Sequence, residues 1–479
     1  RTSPFNTDIR VKEVLKDLYP EMYYNELKGH TKLPCNTQEI EDGFKKMQEV
    51  DTSFKLKLPE KAWDSLSYAY KYALDAFKVE KYEPMPFDKV LPFLNLDTSA
   101  GFSFPSKKKR DVLEEGLQKA EDIAVQIRSG RRITAPPCKL GSRGKLREFD
   151  EAKKPRLIYV YPIEQLIIEA SYAIPMTEGM KGKRDGIMIF GKNIISRIYT
   201  LTRLQKGSGH YRVRTDIKGF DSSAHQFLIE LAFKIVENNM SLDTWNQNLL
   251  PPAKVKRWAR VWDYVKYYYI HTPVMVPSGK IYQKHGKVPS GGEFTQLIGS
   301  IVNTLYLIML CHYHGHQVDE LGVLGDDGFP SIFGKPDIES WSLCLKQWFN
   351  VVLSVEKTKV YHGNDPEKTF LGYSFKGGFL YRETKDLFLN ILYPERMIDT
   401  VGKSFSRLIA YMFLGGVNNP LFAKFFEYYQ TCFKIDDSQI ELDYDLRVKV
   451  DILGYPIPKK RFTQYTMHEF SFHMISLHK

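Results

Sequence analysis

Cysteine is scarce in this chain. The five residues Cys35, Cys138, Cys311, Cys344 and Cys432 are scattered over 479 positions, and no C-x-x-C pair occurs. A disulfide framework and a cysteine-based zinc site are therefore not indicated, and a reducing compartment fits best. No run of 18 apolar residues exists, so neither a transmembrane helix nor a membrane partner is expected. Internal repeats and low-complexity blocks are lacking too. What is present is the composition of a folded protein, long enough for two or three domains or one large multi-subdomain enzyme. Charge is unbalanced, with 68 basic against 57 acidic side chains and a net +11, alongside 29 Tyr and 30 Phe. Cations for phosphates and rings for bases suit a nucleic-acid partner, although a merely basic soluble protein has the same balance.

The stretch Leu321-Gly322-Val323-Leu324 reads as a buried strand, and Gly325-Asp326-Asp327-Gly328 after it as a tight hairpin turn. Upstream, Tyr211 to Asp216 alternates like a strand ending on an acid. Ser222 or Ser223 is the expected cap of a helix running to about Asn238. Pro277-Ser278-Gly279 lies between two short β-like runs and reads as a hairpin turn. Pro289-Ser290-Gly291-Gly292 instead precedes a long apolar helix from Phe294 to about Tyr313, where a glycine loop offers N–H groups to an anion. Arg128 to Arg156 is strongly basic, broken by Pro136-Pro137, Gly141 and Gly144, and reads as an extended loop. An aromatic-rich helix is expected from Trp63 to Phe77, and an amphipathic one from Met397 to Leu414. Acid-bearing strands, intervening helices and helical ends together point to an α+β catalytic core with appended subdomains.

Two adjacent carboxylates repel, and burying them unpaired is costly. A divalent cation is the natural relief. Alone, Asp326-Asp327 is ordinary turn chemistry, and a single Asp216 or Asp221 is an ordinary cap or ion-pair partner. Together they form a D-x4-D pattern at one strand end and a Gly-Asp-Asp turn at another, with Ser290, Gly291 and Thr295 opening a helix between them. Phosphoryl transfer to a nucleotide uses two divalent ions about 3.5–4 Å apart, and oxygen ligands select Mg²⁺ or Mn²⁺. Asp216 and Asp327 are the expected bridging ligands, and Asp326 a weaker or water-mediated one. Asp221 is too far along to join them and is expected to face an incoming ribose.

These segments resemble the motifs of viral RNA-dependent RNA polymerases. Thr215 to Asp221 resembles motif A, Pro289 to Thr295 with Asn303 motif B, and Leu324 to Asp327 motif C, in the usual unpermuted order. The resemblance is strongest to double-stranded RNA viruses of the partitivirus type, with picobirnaviruses second. Thr98-Ser99-Ala100-Gly101-Phe102 resembles motif G, Lys153-Lys154-Pro155-Arg156 the end of motif F, and Phe370 to Phe375 motif E. Ser354 to Lys359 stands where motif D belongs. Two departures stand out. Gly299 occupies the position where many positive-strand virus polymerases carry asparagine, and Asn303 lies one helical turn further on. Ile217-Lys218 replaces the frequent Trp-Ser, so a ligand at position 217 would be its backbone carbonyl.

The resemblance implies a right-hand polymerase with fingers, palm and thumb, and an antiparallel palm sheet. Its expected boundaries are an N-terminal extension at 1–79, fingers at 80–204 and 246–284, palm at 205–245 and 285–395, and thumb at 396–479. It implies that Lys154 and Arg156 meet the triphosphate, and that Ser290 and Gly291 approach the nascent pair. Thr295, Ser300 or Asn303 would join Asp221 at the 2′-hydroxyl. Lys357, or its neighbour Lys359, would act as general acid to pyrophosphate, and Ser99, Gly101, Lys153 and Tyr373 would lie along the RNA. Surface lysines, a solvated basic loop and a plain helix cap are the bland counterparts of these roles. His312, His314 and His316 form an alternating run, preferred as ordinary loop histidines because no acid or cysteine completes a metal site.

The implied partners are single- and double-stranded RNA, nucleoside triphosphates and a viral capsid protein. The implied location is the virion interior or the host cytoplasm. A non-catalytic RNA-binding or packaging protein on the same fold is the first rival, and intact Asp216, Asp326 and Asp327 speak against it. A reverse transcriptase is the second; those usually carry an aromatic-x-Asp-Asp turn, whereas Leu324-Gly325 precede the pair here.

Overall fold

The computed structural model describes residues 7–435 apart from 53–54, 150–155, 184, 191–193, 204–208, 246–247, 363–364, 366–367 and 377. It is a mixture of helices and mostly antiparallel sheets, as an α+β chain should be. The central sheet has four strands in the order Val318–Leu324, Asp327–Phe333, His210–Arg214, Lys359–His362. All its pairings are antiparallel. Val318–Leu324 and Asp327–Phe333 form a hairpin closed by Gly325-Asp326, with Leu324 opposite Asp327. Gly325 has φ +60, the left-handed conformation that such a turn requires and that glycine adopts without a Cβ penalty.

Behind this sheet lies the Thr295–Tyr313 helix, in which every residue from Leu297 to Cys311 is buried. It is long and apolar enough to cross a membrane, but it is mostly buried as a core helix of the protein. Its packing on the Glu60–Ala76 helix and on the hairpin ties the N-terminal third of the chain to the central sheet. The same apolar cluster contains the Ile163–Lys181 helix, buried on nearly all sides.

A second sheet runs Arg156–Val160, Cys138–Arg143, Pro273–Met275, Ile281–Gln283. Part of the basic stretch expected to be a loop is thus strand: Cys138–Arg143 pairs antiparallel with Arg156–Val160 and parallel with Pro273–Met275. Pairing across some 130 residues overrides the local Gly and Pro signals. Pro277-Ser278-Gly279 does turn a hairpin, between Pro273–Met275 and Ile281–Gln283.

A separate apolar cluster gathers the helices Thr384–Leu392, Val401–Phe413 and Pro420–Phe433. The N-terminal helix Ile9–Leu18 joins it. Asp8 caps that helix at the Arg10 and Val11 N–H groups (3.1 and 3.3 Å), and its other oxygen accepts from Ser404 Oγ at 2.5 Å. The chain then crosses toward the second sheet, where His30–Thr31 and Arg147–Glu148 form a small two-stranded sheet of their own. Glu395 reinforces the crossing by ion pairs to Arg143 (2.6 Å) and Lys32 (3.6 Å).

Two local expectations are corrected. The Gln226–Asn238 helix is capped by His225, whose Nδ1 accepts from the Phe227 N–H at 3.2 Å. Ser222 instead donates to the Gly219 carbonyl at 2.8 Å, because residues Phe220–Ser223 form a short helical turn of their own. The aromatic-rich helix begins earlier than Trp63, at Glu60 after Pro59.

Candidate active site

Strand order brings the first two carboxylates together. Ser331 stands opposite Arg212, and the same register continues through the Thr215–Gly328 bridge. The next pair in that register is Asp216 and Asp327, neighbours on one face at about 5 Å between Cβ atoms. Thr215 secures the register by donating to the Gly328 carbonyl from both its N–H (3.0 Å) and its hydroxyl (3.2 Å).

The other edge of Asp216 is tied to residues 352–358. Its carbonyl accepts from the Ser354 N–H at 2.8 Å, and its N–H donates to Thr358 Oγ1 at 3.3 Å. Lys218 N–H donates to the Val352 carbonyl at 2.9 Å, framing an Ile217–Leu353 bridge. In this register the N–H and C=O of Ile217 itself point away from Leu353, toward the edge where Asp327 lies. The Ile217 side chain is a buried hydrocarbon, and the only oxygen this residue can offer a ligand sphere is its carbonyl. Lys357 is exposed in the turn just before Thr358. Lys359 begins the neighbouring strand, opposite Arg214.

The Asp326-Asp327 turn is gripped from below by the Thr295–Tyr313 helix. Ser300 Oγ accepts from the Gly325 N–H at 2.9 Å, and Asn303 Nδ2 donates to the Gly325 carbonyl at 3.1 Å. Both side chains are fully buried. Ser300 and Asn303 are therefore engaged with the Asp326-Asp327 turn on the inner side of the helix.

Asp221 follows Gly219, which has φ +58, and sits in the short Phe220–Ser223 helix. Its carboxylate accepts a short bond from Ser290 Oγ, and its backbone carbonyl accepts from the Val288 N–H at 2.8 Å. Ser290 belongs to a loop that closes on itself: Thr295 Oγ1 donates to the Pro289 carbonyl (2.7 Å) and accepts from the Gly291 N–H (3.3 Å). That loop is seated on the second sheet, with the Tyr159 N–H donating to the Ser290 carbonyl at 2.8 Å. Gly291 makes the seat possible, because a Cβ there would lie 2.1 Å from the Tyr159 carbonyl oxygen.

Electrostatics shows that these groups share one recess. Asp221 and Asp327 are open to solvent on one side, yet the protein around them excludes enough water to push both carboxyls up. Asp327 rises to about 6; burial is the main cause, the Asp326 and Asp216 charges add to it, and Arg214 and Arg156 oppose it. Asp221 rises chiefly by burial and further by Asp326, against the Ser290 bond and Arg156. Arg156 thus acts on both Asp221 and Asp327, although it lies on the other sheet. Arg214 went unnoticed in the sequence; it also donates to Thr369 Oγ1 at 2.7 Å. Strand alternation from Asp216 is the signal that would have found it.

The donor set is oxygen only: three carboxylates and the Ile217 carbonyl. Hard divalent ions such as Mg²⁺ or Mn²⁺ suit it, and the mutual repulsion that raises Asp327 is what such an ion relieves. Among the described residues, no three His, Cys, Asp or Glu side chains stand close enough to grip an ion in this arrangement.

The remaining candidates lie as follows. Ser99 is exposed and bridges to Lys108, and its hydroxyl accepts from the Gly101 N–H at 3.2 Å. Gly101 is buried where a Cβ would be 2.7 Å from Pro162 Cα, so it serves close packing. Tyr373 turns into the C-terminal apolar cluster, with the Arg382 guanidinium 5.3 Å over its ring. Lys153 and Lys154 lie outside the described residues. The three histidines part ways: His312 meets Ser65 Oγ (2.9 Å), His314 meets Cys344 Sγ (3.7 Å) and His316 meets the Phe333 carbonyl (3.1 Å).

Comparison with known proteins adds two findings. Residues 7–429 match the family described as viral RNA-dependent RNA polymerase. The RNA-directed RNA polymerase of Cryptosporidium parvum virus 1 (strain KSU-1) is 30% identical over 243 residues, which cover 48% of this chain and 42% of that protein. The match thus spans less than half of that relative's length.

Proposed function

Because the chain belongs to the viral RNA-dependent RNA polymerase family, we propose that it copies RNA from ribonucleoside triphosphates by template-directed nucleotidyl transfer. The observation that carries this is the Thr215–Gly328 bridge between adjacent strands, which leaves the charges of Asp216 and Asp327 acting on each other beside a turn that presents Asp326. The central sheet with its helix is the palm, at 205–245 and 285–395. The second sheet and its helices are fingers, at 80–204 and 246–284. The C-terminal helices from 396 are the thumb, and the first 79 residues bridge thumb to fingers.

Asp216, Asp327 and the Ile217 carbonyl would hold two Mg²⁺ or Mn²⁺ ions, with Asp326 as a weaker ligand. Such ions, when bound, lower the pKa of the attacking hydroxyl and neutralise the departing pyrophosphate. The chain's own residues do the positioning. Ser300 and Asn303 hold the Gly325 turn, so the two aspartates keep their register. Arg156, with Lys154 beside it in sequence, draws the triphosphate to the carboxylates as a bidentate donor. Asp221, oriented by Ser290, accepts from a ribose 2′-hydroxyl, which selects ribonucleotides. Lys357 is placed on the segment that flanks Asp216 and would donate a proton to pyrophosphate. Ser99 and Lys153 would line the RNA path. We further propose a double-stranded RNA genome, copied within the virion with the capsid protein as partner, or in the host cytoplasm.

The test is incorporation of labelled ribonucleotides on a single-stranded RNA template with Mg²⁺, wild type against Asp327→Ala. Template-length product from the wild type alone is expected. Equal product from both would remove Asp327 from catalysis. Efficient use of deoxynucleotides would favour a reverse transcriptase, and RNA binding without product a packaging protein.

A further inference from the structure

Two fully buried ionisable side chains take no part in the chemistry above: Lys284 and Glu169. Each ends on backbone groups at opposite ends of the loop that carries Ser290. Lys284 Nζ, whose pKa burial lowers well below that of an ordinary lysine, shares its N–H groups among four carbonyls, those of Tyr269 (2.7 Å), Ile270 (3.2 Å), Gly286 (2.5 Å) and Lys287 (3.1 Å). The first two are at the C-terminus of the Pro252–Ile270 helix, whose last carbonyls need donors and whose dipole favours a cation. The other two belong to consecutive left-handed residues, Gly286 (φ +61) and Lys287 (φ +62). Lys287 is not glycine, so its conformation costs about 1 kcal/mol, and the carbonyls it turns inward find their donor in Lys284. The next residue, Val288, donates its N–H to Asp221.

At the other end, Glu169 Oε1 accepts from the Phe294 N–H at 2.9 Å, and the Glu293 amide lies close enough to act on the same carboxyl. A Cβ at position 292 would lie 2.6 Å from Glu169 Oε1, so Gly292 is what lets the carboxyl reach these amides. Burial, the largest influence, pushes Glu169 up to about 8, which favours the neutral acid near pH 7.

Resting on the polymerase reading, we propose that Lys284 and Glu169 are positioning residues for nucleotide selection. The Lys284 amine fixes residues 286–288, the carboxyl fixes residues 293–294, and the span between them is held so that Ser290 stays on Asp221. Neither side chain touches substrate; both act through the loop.

The test compares kcat/KM for a ribonucleotide and its deoxynucleotide in Lys284→Met, Glu169→Ala and Glu169→Gln, with folding checked by circular dichroism. Lys284→Met and Glu169→Ala are expected to lower the ribo/deoxy ratio at least about tenfold, as expected when a polar reader loses its aim. Glu169→Gln keeps an acceptor for the two amides and should restore the ratio to within about threefold of wild type. A merely structural role would reduce the active fraction equally for both nucleotides, and an unchanged ratio in the folded variants overturns the proposal. Hydrogen exchange on the wild type needs no variant to fold. The Val288 and Phe294 amides should be protected as strongly as the core of the Thr295–Tyr313 helix, and exchange at exposed-loop rates overturns the brace. Wild-type inactivity with protected amides would count against the polymerase reading and leave the brace standing.

Discussion

Replacing Asn303 by alanine separates two roles open to that side chain. In the structure its amide nitrogen donates to the Gly325 carbonyl, and Ser300 satisfies the N–H of the same residue. Asn303→Ala would leave a buried carbonyl without its donor, at a cost of about 1–3 kcal/mol, and Ser300→Ala would do the same to the N–H. The two changes act on one turn, so the double variant should lose less than the sum of the singles. A loosened turn lets Asp326 and Asp327 drift from Asp216. A misplacement of about 1 Å at reacting groups costs on the order of 100-fold in rate. The expected outcome for Asn303→Ala is therefore a lower thermal midpoint, kcat down about 10–100-fold, and little change in KM or in the ribo/deoxy ratio. Steady-state kinetics with both nucleotide types and a thermal-shift assay would measure all four. A ratio that collapses while stability and kcat hold would refute this reasoning and return Asn303 to the ribose.

Asp221→Ala should relax ribo/deoxy discrimination by at least about tenfold, with Ser290→Ala moving in the same direction by less; unchanged selectivity with a slower rate would make Asp221 structural. Arg156→Ala removes a charge-assisted contact of about 1.5–3 kcal/mol. It should raise KM for nucleotides about tenfold or more while template binding, read by fluorescence anisotropy, changes little; equal losses would take Arg156 out of the nucleotide site. The Asp327 carboxyl is raised to about 6 from an ordinary 3.8. A raised carboxyl contributes stability below about pH 4 and loses it as pH climbs through 6. In chelator, Asp327→Asn should thus gain on wild type between pH 4.5 and 7.5, by on the order of 1 kcal/mol after allowance for its solvent-open side. Mg²⁺ should reverse that order at pH 7.5; parallel pH profiles for the two proteins would contradict the repulsion.

Local chemistry made much of the molecule legible in advance. The hairpin at Gly325-Asp326, the strand entering Asp216 and the long helix after Pro289 follow from turn residues, alternation and a continuous apolar run. Each of these acts within a dozen residues. The carboxylates were legible for the same reason, since acids at strand ends and turns stand out against apolar neighbours. Periodicity also put Thr295, Gly299 and Asn303 on one side of a helix. What it cannot supply is the identity of whatever faces that side.

That was decided by tertiary structure. Asp216 meets Asp327 only because His210–Arg214 is the strand beside Asp327–Phe333. Gly325 sits against the helix, and so turns Ser300 and Asn303 to the Asp326-Asp327 hairpin. The C-terminal helices draw Tyr373 into their cluster, and the second sheet delivers Arg156 to Asp221 and Asp327. Lys284 and Glu169 read in sequence as two unremarkable charges, and packing alone buried them on the ends of one loop. Local signals record what a segment can become, whereas partners separated by tens to hundreds of residues are chosen by which surfaces can be buried together.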